Sequence, residues 1–172
     1  FPVLEALPLQ YYWILLLLGI ALGVLGAFYN NATMKTLGTM DKVPARLRLA
    51  IPFLAAGCLG FCLPQVLGGG HKIIHLLGNP SLTLGLLLIL LVGKFCFSIL
   101  SFGSGAPGGI FFPLLVLGAL LGAIFSSVAQ TLGFDPVYLN NFIIFGMCGY
   151  FTAIVRAPIT GIVLISEMTG SL

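Results

Sequence analysis

The sequence predicts an all-α integral membrane protein built from tilted and broken transmembrane helices, and three observations carry that prediction. Of 172 residues, 59% are hydrophobic and only 6% are charged, with a mean hydropathy of +1.18. A soluble domain carries roughly a quarter charged residues, and so few charges could not cover a water-facing surface. Second, several apolar runs approach the roughly 20 residues that a crossing helix needs. Third, other apolar runs are short and cut by glycine and proline. Breaks of that kind place helix ends inside a membrane, where they can meet an ion.

The elements follow in order. Residues 11–28 form an uncharged first span led by Tyr11, Tyr12 and Trp13, rings that suit the membrane interface. Gly19 and Gly23 make a GxxxG pair, for which ordinary helix packing is the expected use. Residues 30–48 are polar and basic, so the positive-inside rule makes them a cytoplasmic connection and puts residues 1–10 outside. Residues 49–67 are apolar but hold Pro52, Gly57, Gly60 and Pro64 and run into Gly68-Gly69-Gly70. A helix with a soft start and a broken finish is expected there. Residues 71–77 are amphipathic and too short to cross.

Residues 81–102 are the second long span and carry one charge, Lys94. An intramembrane lysine is costly and faces protein, water or an interface. Snorkelling or pairing with a carbonyl is expected of it, ahead of a transport role. GSGAPGG at 103–109 is a loop, and 110–128 is a third apolar run with a second GxxxG pair, Gly118 and Gly122. Residues 131–141 form a polar connection containing Asp135-Pro136. The last apolar region is cut at Arg156-Ala157-Pro158, because proline disfavours helix at the residue before it. Two helices, 142–155 and 158–168, are expected, each shorter than a full crossing.

Several function classes drop out. The net charge is +3, but Lys35, Lys42, Arg46, Arg48 and Lys72 lie in or beside connections, which marks a membrane side and not a nucleic-acid surface. Cys58, Cys62, Cys96 and Cys148 sit inside apolar runs and read as small buried residues, not a disulfide framework. His71 and His75 stand one turn apart, but Lys72 occupies the place of the glutamate in HExxH and nothing supplies further ligands, so no metal is expected. Gly68 to Lys72 does not satisfy the P-loop pattern. Ser126 and Ser127 have no partnering base, so no catalytic residue, enzyme activity or cofactor is expected. Arg156 and Glu167, the charges of the last region, either pair across its break or cap helix ends at an interface. The chain starts at Phe1 without Met and stops at Leu172 after an apolar run, so a piece of something longer is expected.

The sharpest feature is SGAPGGIFFP, residues 104–113, a glycine-rich loop opening directly into an apolar helix. The first amides of a helix have no internal partners and carry partial positive charge from the helix dipole. Glycines let backbone come close to a bound ion, and no acidic residue lies nearby to repel an anion. The combination suits an anion site made of backbone amides at Gly109, Ile110, Phe111, Phe112 and Pro113. Amides rather than a lysine suit transport, which needs binding weak enough for release. A plain Gly/Pro break between packed helices accounts for the residues about equally well.

Gly109-Ile110-Phe111-Phe112-Pro113 resembles the GxFxP signature of the second half of CLC chloride channels and chloride/proton antiporters, with FGSGAPGG as its lead-in. Ile154 to Gly161 and Ser166 to Thr169 resemble the late helices of that family, and Gly68-Gly69-Gly70 its glycine run before a short helix. The ordered set covers nearly the whole chain. The resemblance implies homodimers in a lipid bilayer, each subunit with its own anion path between two inverted halves. Residues 1–172 are then a single partial transmembrane domain, the second half of an inverted-repeat CLC fold, with its final tyrosine-bearing helix missing. It implies chloride as the transported ligand, with protons as a second one in an antiporter, and a plasma-membrane location. The amides matching Ile110 and Phe111 are expected to contact a central chloride, and helices 142–168 to help form the dimer interface. Ser104 is not assigned an ion-binding role, because the serine loop GSGIP and the gating motif GREGP belong to the first half and are absent. The rivals are half of an unrelated transporter for another anion, such as fluoride or a carboxylate, and a structural membrane fragment without transport activity of its own.

Overall fold

The computed structural model describes residues 8–77, 82–105 and 109–169. The expected outer segment up to residue 7, the start of the second span at Ser81, and loop residues 106–108 lie outside these.

A 3-10 turn, Leu9–Tyr11, leads into α1, Tyr12–Met40. The helix runs well past residue 28 and absorbs most of the polar stretch expected to be a connection. No proline interrupts it, and three of its threonines are satisfied on the helix itself. The hydroxyls of Thr33, Thr36 and Thr39 donate to the carbonyls of Tyr29, Ala32 and Lys35 at 2.8, 2.9 and 2.9 Å. The connection shrinks to the turn before Pro44, whose fixed φ suits the start of α2, Ala45–Cys62. Arg48 closes that turn by donating Nε–H to the Met40 carbonyl at 3.0 Å and pairing with Asp41 at 2.8 Å.

After α2 comes a 3-10 turn, Pro64–Val66, then Gly68 and Gly70 at φ of 66° and 93°, which a glycine adopts freely. Gly70 is needed for space as well, because a Cβ there would lie 2.7 Å from Val116. The short α3, His71–Leu77, turns Ile73 and Leu77 inward, as its amphipathic pattern requires. Two long helices follow, α4, Leu84–Gly103, and α5, Phe111–Thr131.

Asp135 caps the next turn, its side chain accepting from the Val137 amide at 2.9 Å. The 3-10 turn Pro136–Tyr138 therefore runs straight into α6, Leu139–Val155. Turn and helix together make a 20-residue apolar segment long enough to cross a membrane, which corrects the expectation of a short helix there. Arg156 then takes a left-handed φ of 60°, ends α6 and releases α7, Pro158–Thr169. Arg156 and Glu167 are both exposed and do not pair with each other.

The core centres on α5. Leu114 to Leu117, Ala119 and Leu120 are all fully buried, so this helix is apolar all round because protein surrounds it. Its closest partner is α6. A Cβ on Gly118 would lie 2.5 Å from the Gly146 carbonyl oxygen, and one on Gly122 would overlap the Phe142 carbonyl. The second GxxxG pair thus brings two backbones together. Gly19 and Gly23 of the first pair have nothing near them. On α1, Ile14, Leu18, Leu22 and Gly26 recur every four residues and face the core, while Leu16, Ile20 and Val24 point outward. Both faces are apolar, as in a helix between protein and lipid. Among the described residues four helical segments, α1, α4, α5 and 136–155, are long and apolar enough to cross, so the chain is a multi-pass integral membrane protein.

Candidate functional site

The glycine-rich motif sits where α4 ends and α5 begins. Ile110 is the N-cap of α5, at φ −80° and ψ −22°, and no side chain caps the helix. The first bond that ties the cap into the helix runs from the Leu114 amide to the Ile110 carbonyl at 3.2 Å. Pro113, the third residue of the helix, brings no N–H. Three N–H groups remain, on Ile110, Phe111 and Phe112, and among the described residues none of them has an acceptor. Amides at a helix N-terminus have no partner within the helix and carry its dipole. Gly109 is exposed, with nothing near the place where a Cβ would be, so approach to these amides is open on that side.

The five motif residues divide in two. Gly109, Phe112 and Pro113 line a cavity of about 450 Å³. Ile110 and Phe111 do not line it. Phe111 turns the other way and packs edge-on against Phe151 of α6, ring centroids 5.4 Å apart. Any contribution of Ile110 and Phe111 to a ligand is therefore through the backbone. Phe112 is braced by His71 of α3, at 4.8 Å between ring centroids.

The rest of the cavity wall comes from residues that sequence reasoning set aside. Gly68 and Gly69 enter from the turn before α3, and Lys94 and Ser98 from one face of α4. Lys94 is 1% exposed, and its ammonium donates to the carbonyls of Val66 at 2.9 Å and Gly68 at 2.7 Å. The expected carbonyl pairing is there, and so is a buried positive charge in the wall of the cavity that Gly109, Phe112 and Pro113 line at the start of α5. The available signal was Lys94 itself, the one charge in its apolar span; nothing in sequence spacing brings it to Phe112. Ser104, at the end of α4, donates to the Ser101 carbonyl at 2.6 Å. Among the described residues the lining contains no acidic side chain.

Comparison with known proteins places this arrangement. Residues 1–172 match the family described as voltage gated chloride channel. The chain belongs to the voltage-gated chloride channel family. It is 38% identical over 177 residues to the H(+)/Cl(−) exchange transporter ClcA of Vibrio vulnificus, covering 99% of this chain and 37% of that protein. ClcA of Salmonella agona is 38% identical over 173 residues, covering 95% and 36%. The crystal structure of a slow cyanobacterial Cl−/H+ antiporter superposes with a TM-score of 0.84 at 29% identity, over 97% of this chain and 40% of that one. The chain thus spans little more than a third of the length of these family members. The relatives named are transporters, and the broken-helix membrane fold is common to the family member of known structure and to this chain.

Proposed function

We propose that this segment forms one wall of a chloride pathway, as the second half of a CLC-type channel or chloride/proton antiporter. The observation that carries the reading is the uncapped start of α5. Among the described residues the amides of Ile110, Phe111 and Phe112 have no acceptor, and Phe112 lines a cavity whose wall also holds the Lys94 ammonium. Gly109 leaves room for a close approach, and Pro113 fixes the helix start. Lys94 commits two of its three N–H donors to carbonyls, so its charge acts on an anion chiefly through the field in the cavity. Transport needs that balance of entry and release. Names given to the relatives support chloride as the ion and protons as a coupled second ligand.

The same reading makes residues 1–172 one half of a transport unit whose other wall lies in a matching inverted half. It places the protein in the cell membrane as a homodimer joined through the 142–168 helices. The exposed side chains Ile159, Ile162 and Val163 on α7 and Phe145 on α6 suit such a contact.

The test is removal of one amide. Ile110 has a φ of −80°, within proline's range, and follows a glycine, so Ile110→Pro fits the backbone and deletes a donor. Chloride affinity of the full-length protein, measured by calorimetry, should weaken about fivefold or more in Ile110→Pro and hold in Ile110→Ala. Equal affinity in the proline variant and the wild type removes the amide site. Competition with fluoride and acetate identifies the preferred anion.

A further inference from the structure

We propose that Ser98 donates its hydroxyl to the transported anion and that Tyr29 is the positioning residue that frees it to do so, an inference that rests on the chloride reading above. Ser98 stands one turn beyond Lys94 on α4 and lines the same cavity as Gly109 and Phe112. It is only 3% exposed.

Serine and threonine within a helix commonly turn the hydroxyl back onto a carbonyl four residues earlier. Thr33, Thr36, Thr39 and Ser127 do so in this chain. Ser98 does not. Its oxygen lies 2.7 Å from the Tyr29 phenol oxygen, and that is its one hydrogen-bond partner among the described residues. A phenol is more acidic than an alkyl hydroxyl, hence the better donor and the poorer acceptor. Either oxygen can donate; with the more acidic phenol donating, the bond runs from Tyr29 O–H to Ser98 Oγ and leaves the serine hydrogen to rotate. Accepting from Tyr29 also polarises Ser98 as a donor.

Tyr29 is well placed for this and for nothing nearer the ion. It is 2% exposed, is absent from the cavity lining, and is held edge-on by Phe95 at 5.6 Å and Tyr150 at 6.3 Å. The ligand class is a small inorganic anion that sheds water on entry. Ser98 would replace one lost water from the α4 wall, while the start of α5 replaces others.

The test uses the full-length protein in detergent, with chloride titrated by calorimetry. Ser98→Ala should weaken chloride about fivefold, while Ser98→Thr, which keeps the hydroxyl, should stay within about twofold of wild type. Tyr29→Phe keeps the ring and removes the donor, and should weaken chloride about threefold. The double variant Ser98→Ala/Tyr29→Phe should bind no more weakly than Ser98→Ala alone, because Tyr29 acts through Ser98. Additive losses would instead make Tyr29 a packing residue and overturn its assignment. Should Ser98→Ala be unstable, Ser98→Cys is close in size and a far weaker donor, and the same loss is expected. Full affinity in the serine variants, with Ile110→Pro still weakened, overturns this inference and leaves the amide site standing. Full affinity in all of them overturns both.

Discussion

The ammonium of Lys94, in the middle of α4, donates to the carbonyl of Gly68 at 2.7 Å and so ties a membrane-spanning helix to the turn that precedes α3. A second bond, to the Val66 carbonyl at 2.9 Å, holds the same turn. Because the turn and Lys94 both line the cavity at the start of α5, one side chain sets the shape and the charge of that wall together. Replacement by methionine keeps the stem and removes both effects. Lys94→Met should cost about 1–3 kcal/mol for each carbonyl left without its donor, read as a lower unfolding temperature in detergent. It should weaken chloride as well, by loss of the buried charge. Unchanged thermal stability would contradict the role of Lys94 as a brace.

The two GxxxG pairs should respond in opposite ways. Gly122→Ala drives a methyl into the Phe142 carbonyl of α6, backbone that cannot turn aside. Overpacking of this kind costs about 1–3 kcal/mol. Gly19→Ala on α1 meets nothing within 4 Å and should be neutral or slightly stabilising. Thermal unfolding of the two variants side by side measures the contrast. Equal behaviour would mean that the α5–α6 crossing is looser than its geometry implies.

Arg156 holds a left-handed φ of 60° between α6 and α7. Glycine adopts this conformation without the steric cost that a Cβ brings. Arg156→Gly should therefore leave stability unchanged or raise it by up to about 1 kcal/mol, while a β-branched Arg156→Val should lower it. Opposite signs in a melting experiment would show that the guanidinium, and not the backbone, matters at the break.

Asp41 and Arg48 pair at 2.8 Å where the aspartate is largely exposed. Asp41→Asn should cost less than about 1 kcal/mol, as surface pairs do, and the cost should vanish at high salt. Arg48 also donates to the Met40 carbonyl, so Arg48→Ala should cost more than Asp41→Asn. A double-mutant cycle read by thermal unfolding separates the ion pair from the backbone contact.

A pathway half should not conduct by itself. Residues 1–172 alone in liposomes should give no selective chloride efflux, whereas the full-length protein should. Robust selective flux from the segment would overturn the idea that the second wall lies elsewhere.

Much of the architecture was legible in composition and punctuation. Pro64 and the three glycines after it announced the break before α3, and Pro158 announced the one before α7. The glycine-to-helix junction behind the proposed amide site was legible because its parts are contiguous: glycine, helix start and proline follow one another in residues 109–113. What misled was polarity. Residues 30–40 look like a loop, yet Thr33, Thr36 and Thr39 satisfy themselves on α1 and let the helix continue. Likewise the capping of the turn at Asp135 extended α6 towards its start, and a single polar residue does not announce such a cap against a polar background.

The sequence by itself determined the solvent, the helical class, the breaks before α3 and α7 and the helix start after the glycine-rich loop. All of these depend on composition or on residues within a few places of one another. Only the tertiary structure decided which groups share the cavity at the start of α5. Lys94 and Ser98 meet Gly109 and Phe112 because α4 and α5 return past one another, and Tyr29 reaches Ser98 across 69 positions of chain. It also decided which glycines matter, since Gly19 and Gly122 share a motif and differ only in what packs against them. The physical reason is that local backbone preferences act along the chain. The partner of a buried charge or a bare helix face is chosen by packing between distant segments.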